Sequence, residues 1–290
     1  MITKDILKKV RHIEIYTKRL LSGALVGDTR SAIKGSGFEF DQIRDYQMGD
    51  DVRFIDWKSS AKLDKLLVKQ YVEERNRTII LAVDTSGSSL FTSSKLRKWD
   101  IFQQIAAVLT LVAEYGKDRA SLLLFSDEVE LFIPPGRERK HTHAIFQALF
   151  SHKPQPTKKT KIHAALKHLA SLKRKDAVVF LISDFIDDQF EQLLPVVSRM
   201  YDLVAVRSLD HTECAFPSVG FLQVKDLETG QHCLLDSRGR GCKALQKKMN
   251  MRLAEQNRLF KKYGIDCLDL VDHKSLMADI IRFFRRRMVY

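Results

Sequence analysis

Residues 78–88 read Thr-Ile-Ile-Leu-Ala-Val-Asp-Thr-Ser-Gly-Ser. The first part, TIILAVD at 78–84, is an uninterrupted apolar run that closes on a carboxylate, the mark of a strand buried on both faces. A tight Ser/Gly loop follows, Asp84-Thr85-Ser86-Gly87-Ser88. In an open α/β sheet, ligands collect beyond the carboxyl ends of the strands, so this loop stands where a site belongs. Alternate positions of the loop turn one carboxylate and two hydroxyls towards a common point. Mg²⁺ takes near-octahedral oxygen ligands at about 2.0–2.1 Å and keeps several waters, and such a donor set suits it. A Ser/Gly loop bearing an Asp also serves simply to cap the next helix. The pentapeptide alone leaves both readings open.

Downstream, the pattern is regular. Phe102, Ile105, Leu109 and Val112 carry helical spacing. ASLLLFS at 120–126 and VELFI at 129–133 read as strands, with Pro134-Pro135-Gly136 as a stop. Helices are expected over about 139–151 and 160–172, and AVVFLIS at 177–183 is a second buried strand that runs into Asp184. A helix at 188–200, strand DLVAVRS, a helix at 241–262 and strand IDCLDL at 265–270 complete the series. This alternation predicts an α/β fold, a doubly wound and mostly parallel sheet covered by helices on both faces. Two short alternating runs in FLQVKDLETGQHCLLD read as a β-hairpin insertion near 218–237, elaborating the sheet's edge. Upstream, residues 1–22 have the apolar spacing of an amphipathic helix, and 23–77 form a loop-rich module with some strand. Two domains are therefore expected, 1–77 and 78–290.

Composition narrows the function. The 290 residues are 44% hydrophobic, enough for a packed core without staples, and 29% charged, which excludes a disordered chain. No apolar run approaches the roughly 18–20 residues needed to cross a bilayer, and the N-terminus has no signal-peptide core. Cys214, Cys233, Cys242 and Cys267 lack zinc or disulfide spacing. A cytoplasmic protein is the expectation. The net charge of +13 is concentrated in 137–175, 240–262 and the Arg285–Arg287 run, which permits an acidic protein, nucleic acid or peripheral contact with anionic lipid. No stacking platform or nucleic-acid motif accompanies these stretches, so nucleic acid is the weaker option.

Two further oxygens join the loop. Asp184 ends the second buried strand on the same sheet edge as Asp84, and Thr160 opens a helix where its hydroxyl either caps or reaches the same cavity. Asp84, Ser86, Ser88, Thr160 and Asp184 together have the pattern of a metal-ion-dependent adhesion site, and residues 78–290 resemble a von Willebrand factor A domain. The resemblance implies that Ser86, Ser88 and Thr160 approach Mg²⁺ or Mn²⁺ directly. It implies that Asp84 and Asp184 act through water and hydrogen bonds, while a partner's carboxylate completes the coordination. A divalent cation short of protein carboxylates attracts an external one. These side chains are expected to face solvent, so that Asp84→Ala leaves the fold intact. Ser89 stands where the family has an apolar residue, which implies a looser loop wall. Lys161, following Thr160, opposes a metal and favours an anionic ligand.

The N-terminal module adds a second resemblance. Gly35-Ser36-Gly37-Phe38-Glu39, Arg44-Asp45-Tyr46, Gly49-Asp50-Asp51, Arg53 and Ile55-Asp56-Trp57 are followed by Glu73-Glu74-Arg75. Together they resemble the bacterial domain-of-unknown-function-58 family, which joins such a module to a von Willebrand A-like domain. That resemblance implies pairing with a MoxR-type AAA+ ATPase, an adaptor role in maturing a client protein, and no enzymatic activity of the chain's own. Arg44, Arg53 and Arg75 are placed to pair with Glu39, Asp50, Asp56 or Glu74, either to hold the module together or to form a docking face. The enzymatic alternative is a phosphotransferase that phosphorylates Asp84. It lacks the second carboxylate two residues on, where Ser86 stands. No phosphate-binding GxxxxGK[ST] motif is present, so any ATP hydrolysis belongs to a partner.

Overall fold

The computed structural model describes residues 38–290 apart from 64, 74–76, 94–95, 175–176, 188, 211, 213–218, 226–231, 272–275 and 289–290. The helix expected at 1–22, together with Gly35, Gly37, Glu74 and Arg75, lies outside the described residues. The chain divides into a small unit, Arg30–Asn76, and a large one that contains Arg77–Tyr290.

In the small unit, β1 (Phe38–Asp45) pairs antiparallel with β2 (Leu67–Glu73), with one bulge between Phe40 and Gln42. Among its described residues, Ile55, Leu67 and Val68 are the buried apolar ones. Polar contacts do much of the rest. The Arg44 guanidinium forks onto Asp50 at 2.6 and 2.7 Å, while Arg53 pairs with Asp51 rather than with Asp50 or Asp56. Asp56 accepts from the Ser59 N–H and hydroxyl at the start of α1 (Trp57–Leu63) and lies 3.6 Å from Lys69. Its pKa is correspondingly held below the ordinary carboxylate range, chiefly by the Ser59 donors. Glu39 lies in β1 and Tyr46 follows it, with the Tyr46 N–H donating to Leu66. Gly49 has φ of +109°, a backbone state that glycine alone adopts readily.

The large unit is the doubly wound sheet. Its strands are β3 (Thr78–Asp84), β4 (Arg119–Phe125), β5 (Val129–Gly136), β6 (Ala177–Ser183), β7 (Asp202–Ser208) and β10 (Asp266–Leu270). They lie in the order β10-β7-β6-β3-β4-β5, parallel except for β5 at the edge. The chain starts at the centre, builds outward to β5, then returns to build the other half from β6. The crevice between β3 and β6 is thus the point where strand order reverses. Alternate β3 residues supply opposite cores. Ile79, Leu81 and Val83 pack with α2 (Lys98–Tyr115), α3 (Arg139–Ser151) and α7 (Leu276–Met288). Ile80 and Ala82 face α4 (Ile162–Leu172), α5 (Leu194–Met200) and Phe260 of α6 (Arg240–Lys262).

Three local expectations are corrected. Strand β5 continues through Pro134 and Pro135, because an antiparallel edge strand can turn its donor-less positions away from the ladder. The helix expected over 188–200 is a short 3-10 turn at Phe190–Gln192 followed by α5, whose first turn holds Pro195, where the missing N–H costs no helical hydrogen bond. The hairpin of β8 (Phe221–Lys225) and β9 (His232–Asp236) is a separate two-stranded sheet. The edges of the large sheet are β10 and β5, and among the described residues the hairpin is hydrogen-bonded into neither.

Arg207 ties the late elements together. Only 1% exposed, it donates to Asp269 on β10 at 2.7 and 3.0 Å, and to Gln256 and Asn257 of α6 at 2.8 and 2.7 Å. Gln256 in turn donates to the Phe185 carbonyl at 2.7 Å, so α6 is coupled to the loop after β6. Arg207→Ala is expected to lower unfolding stability by about 3 kcal/mol, measured by urea denaturation. An unchanged midpoint would show that this network is dispensable.

Candidate functional site

The β3–β6 register pairs Val83 with Ile182. One residue further on, Asp84 therefore comes level with Ser183, and the Ser183 hydroxyl donates to Asp84 Oδ2 at 2.6 Å. The other oxygen, Oδ1, accepts the Ser86 N–H at 2.9 Å. Asp184 lies one position beyond the pairing. Its Oδ1 accepts the Ile186 N–H at 3.1 Å, and Oδ2 accepts from the Lys98 ammonium at 3.1 Å. Phe185, which follows, is a buried non-glycine residue with φ of +56°. Its strained backbone is held by the Ser183 hydroxyl, by Gln256 and by edge-to-face contacts with Phe190 and Phe260.

The loop after β3 brings the hydroxyls together. Thr160 Oγ1 donates to Ser86 Oγ at 2.7 Å, Ser86 Oγ lies 3.0 Å from Ser88 Oγ, and Ser88 Oγ lies 3.2 Å from Thr160 Oγ1. These three oxygens form a closed triangle. In octahedral Mg²⁺ with ligands at about 2.0–2.1 Å, neighbouring oxygens are about 3 Å apart. The spacing of the triangle matches that requirement, and the donor chemistry of hydroxyls beside two carboxyls is right for a hard cation. The residues present therefore fit the ion that the sequence pattern implies. Among the described residues, no cluster of three or more His, Cys, Asp or Glu offers a competing metal centre.

Close packing fixes the loop. A Cβ on Gly87 would lie 2.2 Å from the Pro156 carbonyl oxygen, so only glycine allows this approach, and the Gly87 N–H donates to Lys158 O at 2.8 Å. Thr85 donates twice to Phe125 O. Ser89, expected to loosen the loop wall, is buried and donates to Ser86 O at 2.7 Å, so its hydroxyl closes the turn. Lys161 is exposed, with its N–H donating to Ser126 O.

One expectation about these side chains is overturned. Asp84 and Ser86 are fully buried, and Thr160 and Asp184 are at most 6% exposed. The loop folds inward because its hydroxyls and carboxyls satisfy one another, which removes the penalty for taking them out of water. Replacing Asp84 by Ala would orphan the Ser183 and Ser86 donors and cannot be assumed innocuous. The same burial counts against the phosphotransferase alternative, since both Asp84 oxygens already hold hydrogen bonds.

Two residues at the site carried no sequence signal strong enough to single them out, Ser183 and Lys98. Ser183 was hidden within an apolar strand. Lys98 was one cation among many, although a lysine at the first position of a helix, against the positive end of its dipole, is an unusual choice. Its side chain is 3% exposed and lies 5.6 Å from the Phe91 ring centroid.

The fold is thus a doubly wound α/β domain of von Willebrand factor A-like type, with the Asp84–Ser88 loop at its switch point. Residues 42–256 match the family described as "Protein of unknown function DUF58", and the chain belongs to that family. It is 27% identical over 287 residues to the uncharacterized protein Rv1480 of Mycobacterium tuberculosis, covering 96% of this chain and 88% of the relative. The uncharacterized protein YeaD of Bacillus subtilis is 24% identical over 110 residues, covering 38% of this chain and 26% of the relative. Among solved structures, a conserved hypothetical protein BatB from Bacteroides thetaiotaomicron overlaps 74% of this chain and 99% of its own, with TM-score 0.49 and 12% identity. The SpRpn10 VWA domain overlaps 46% of this chain and 76% of its own, with TM-score 0.34 and 14% identity.

Burial, and secondarily the nearby Asp184 charge, push the Asp84 carboxyl up to about 7. Between the unfolded value near 4 and that raised value, the folded chain holds a proton that the unfolded chain releases. Metal-free stability therefore falls as pH rises through this window. Thermal midpoints in chelator should show Asp84→Asn gaining on the wild type as pH is raised from 5 to 8. A pH-independent difference would contradict the buried-carboxyl account.

Proposed function

We propose that this chain is a non-enzymatic interaction protein that docks a partner carboxylate at the β3/β6 edge through Mg²⁺ or Mn²⁺. It works with a MoxR-type AAA+ ATPase in assembling or maturing a client protein. The observation that carries this reading is the closed hydroxyl triangle of Ser86, Ser88 and Thr160, with separations of 2.7 to 3.2 Å, beside two carboxyls at neighbouring strand ends. In this reading the three hydroxyls hold the ion, and Asp84 and Asp184 act through water and hydrogen bonds. When bound, the ion supplies a concentrated positive charge that an external carboxylate completes. The chain's own part is to hold the hydroxyls at metal spacing, which the Gly87 contact, the Ser89 hydrogen bond and the Phe125 acceptor all enforce. The ATPase partner follows from family resemblance; mechanical work is then done by the partner.

The small unit supplies a second set of features for the same role. Trp57, Met48 and Val52 are exposed apolar side chains among its charged ones. Its Arg44–Asp50 pair, by contrast, braces the turn that carries Gly49, so this part of the family motif is spent on structure.

The test uses immobilised full-length protein and the purified MoxR-type ATPase from the same genome, with Mg²⁺ or chelator. The matched variant is Ser86→Ala with Thr160→Ala, which removes the triangle while leaving Asp84 the Ser183 hydroxyl and the Ser86 N–H. Capture is expected with Mg²⁺ and is expected to fall at least about tenfold with chelator or in the variant. Capture that ignores both would overturn the metal-docking edge. Absent capture with metal binding intact would overturn only the choice of partner.

A further inference from the structure

Among the described lysines and arginines, Lys98 and Arg207 are the buried ones. The Arg207 partners knit α6 to the sheet, whereas the carboxylate partner of Lys98 is Asp184, a member of the candidate metal site. Nothing about its location is kind to a cation. The ammonium is removed from water, stands at the helix end whose dipole is positive, and borders the Phe91 ring. A buried charge persists in such a place only with a charged partner at close range, here Asp184 Oδ2 at 3.1 Å.

The consequence lies in what Asp184 has left to offer. Its Oδ1 already accepts the Ile186 N–H, and its Oδ2 is held by Lys98. A divalent ion held by Ser86, Ser88 and Thr160 draws on the same carboxylate that neutralises the ammonium. With two carboxyls and one ammonium, the site has room for less added positive charge than two carboxyls alone would accept. A second cation brought close to Lys98 in this dry environment meets like-charge repulsion that solvent does not screen.

We infer that Lys98 is a built-in competitor for Asp184, so that the Lys98–Asp184 pair and the metal oppose each other and Lys98 sets the metal affinity of the free protein. This deepens the metal reading of the site and rests on it. Lys98 acts on the ion through Asp184 and is a positioning residue, not a ligand. The partner's carboxylate then has a defined role: it supplies the negative charge that Asp184 is too committed to give.

The experiment is Mn²⁺ titration by calorimetry of full-length wild type, Lys98→Gln and Lys98→Arg. The expected result is affinity about tenfold or more tighter in Lys98→Gln, with Lys98→Arg close to wild type because the charge is kept. Equal affinity in wild type and Lys98→Gln would overturn the inference and leave the metal site standing. No binding in either would overturn both. Because Lys98→Gln removes one side of a buried ion pair and is a folding risk, a second measurement uses wild type alone. Lysine acylation mapped by mass spectrometry should find Lys98 protected in chelator and labelled at saturating Mn²⁺. Equal protection in both conditions would overturn the inference independently of any variant.

Discussion

The parallel pairing of β3 with β6 is the constraint on which the rest depends. Because Val83 is level with Ile182, the two strands end together, and the chain leaves the sheet on both sides of a single crevice. Asp84 and Ser183 then meet by register alone, and Asp184 falls just past the edge. Helices α2 and α4 cover opposite faces, so the loops entering them converge on the same point from two sides. The site is therefore a product of topology before it is a product of side-chain choice.

Burial gives this geometry its electrostatic character. Two carboxyls placed in a dry crevice at neighbouring strand ends cannot both be charged without compensation. The structure answers in two ways. Asp84 is met by neutral donors and is pushed towards its protonated form, while Asp184 is met by a full positive charge from Lys98. The hydroxyl triangle adds no charge at all. A metal-docking role makes use of this imbalance, since an incoming ion and an incoming carboxylate together restore what each alone would upset.

Much of the fold was legible because buried parallel strands have a plain signature. TIILAVD ends on Asp84 and AVVFLIS runs directly into Asp184, and neither apolar run has a polar interruption before the edge where a ligand belongs. Ser86, Ser88 and Thr160 were legible as oxygens near that edge, and the structure brings all three together. Exposure was misread, because the satisfaction of polar groups by one another depends on distances that spacing in sequence does not reveal. Lys98 was invisible for the same reason: nothing in SSKLRKWD marks which of its basic residues turns inward. The path of β5 through two prolines was missed because edge position is a tertiary fact. In the small unit, the Arg44–Asp50 pair was anticipated, while Arg53 took its near neighbour Asp51, where the short turn at 52–54 places it.

The central claim is that the β3/β6 edge holds a divalent ion. Paramagnetic relaxation by Mn²⁺, read from backbone amides of isotopically labelled full-length protein, tests it most directly, since it registers even weak and fast-exchanging occupancy. The account expects distance-dependent broadening centred on 85–89, 160–161 and 184–186, relieved by chelator and absent in Ser86→Ala with Thr160→Ala. Broadening centred elsewhere, or none at concentrations that saturate ordinary Mn²⁺ sites, would contradict it.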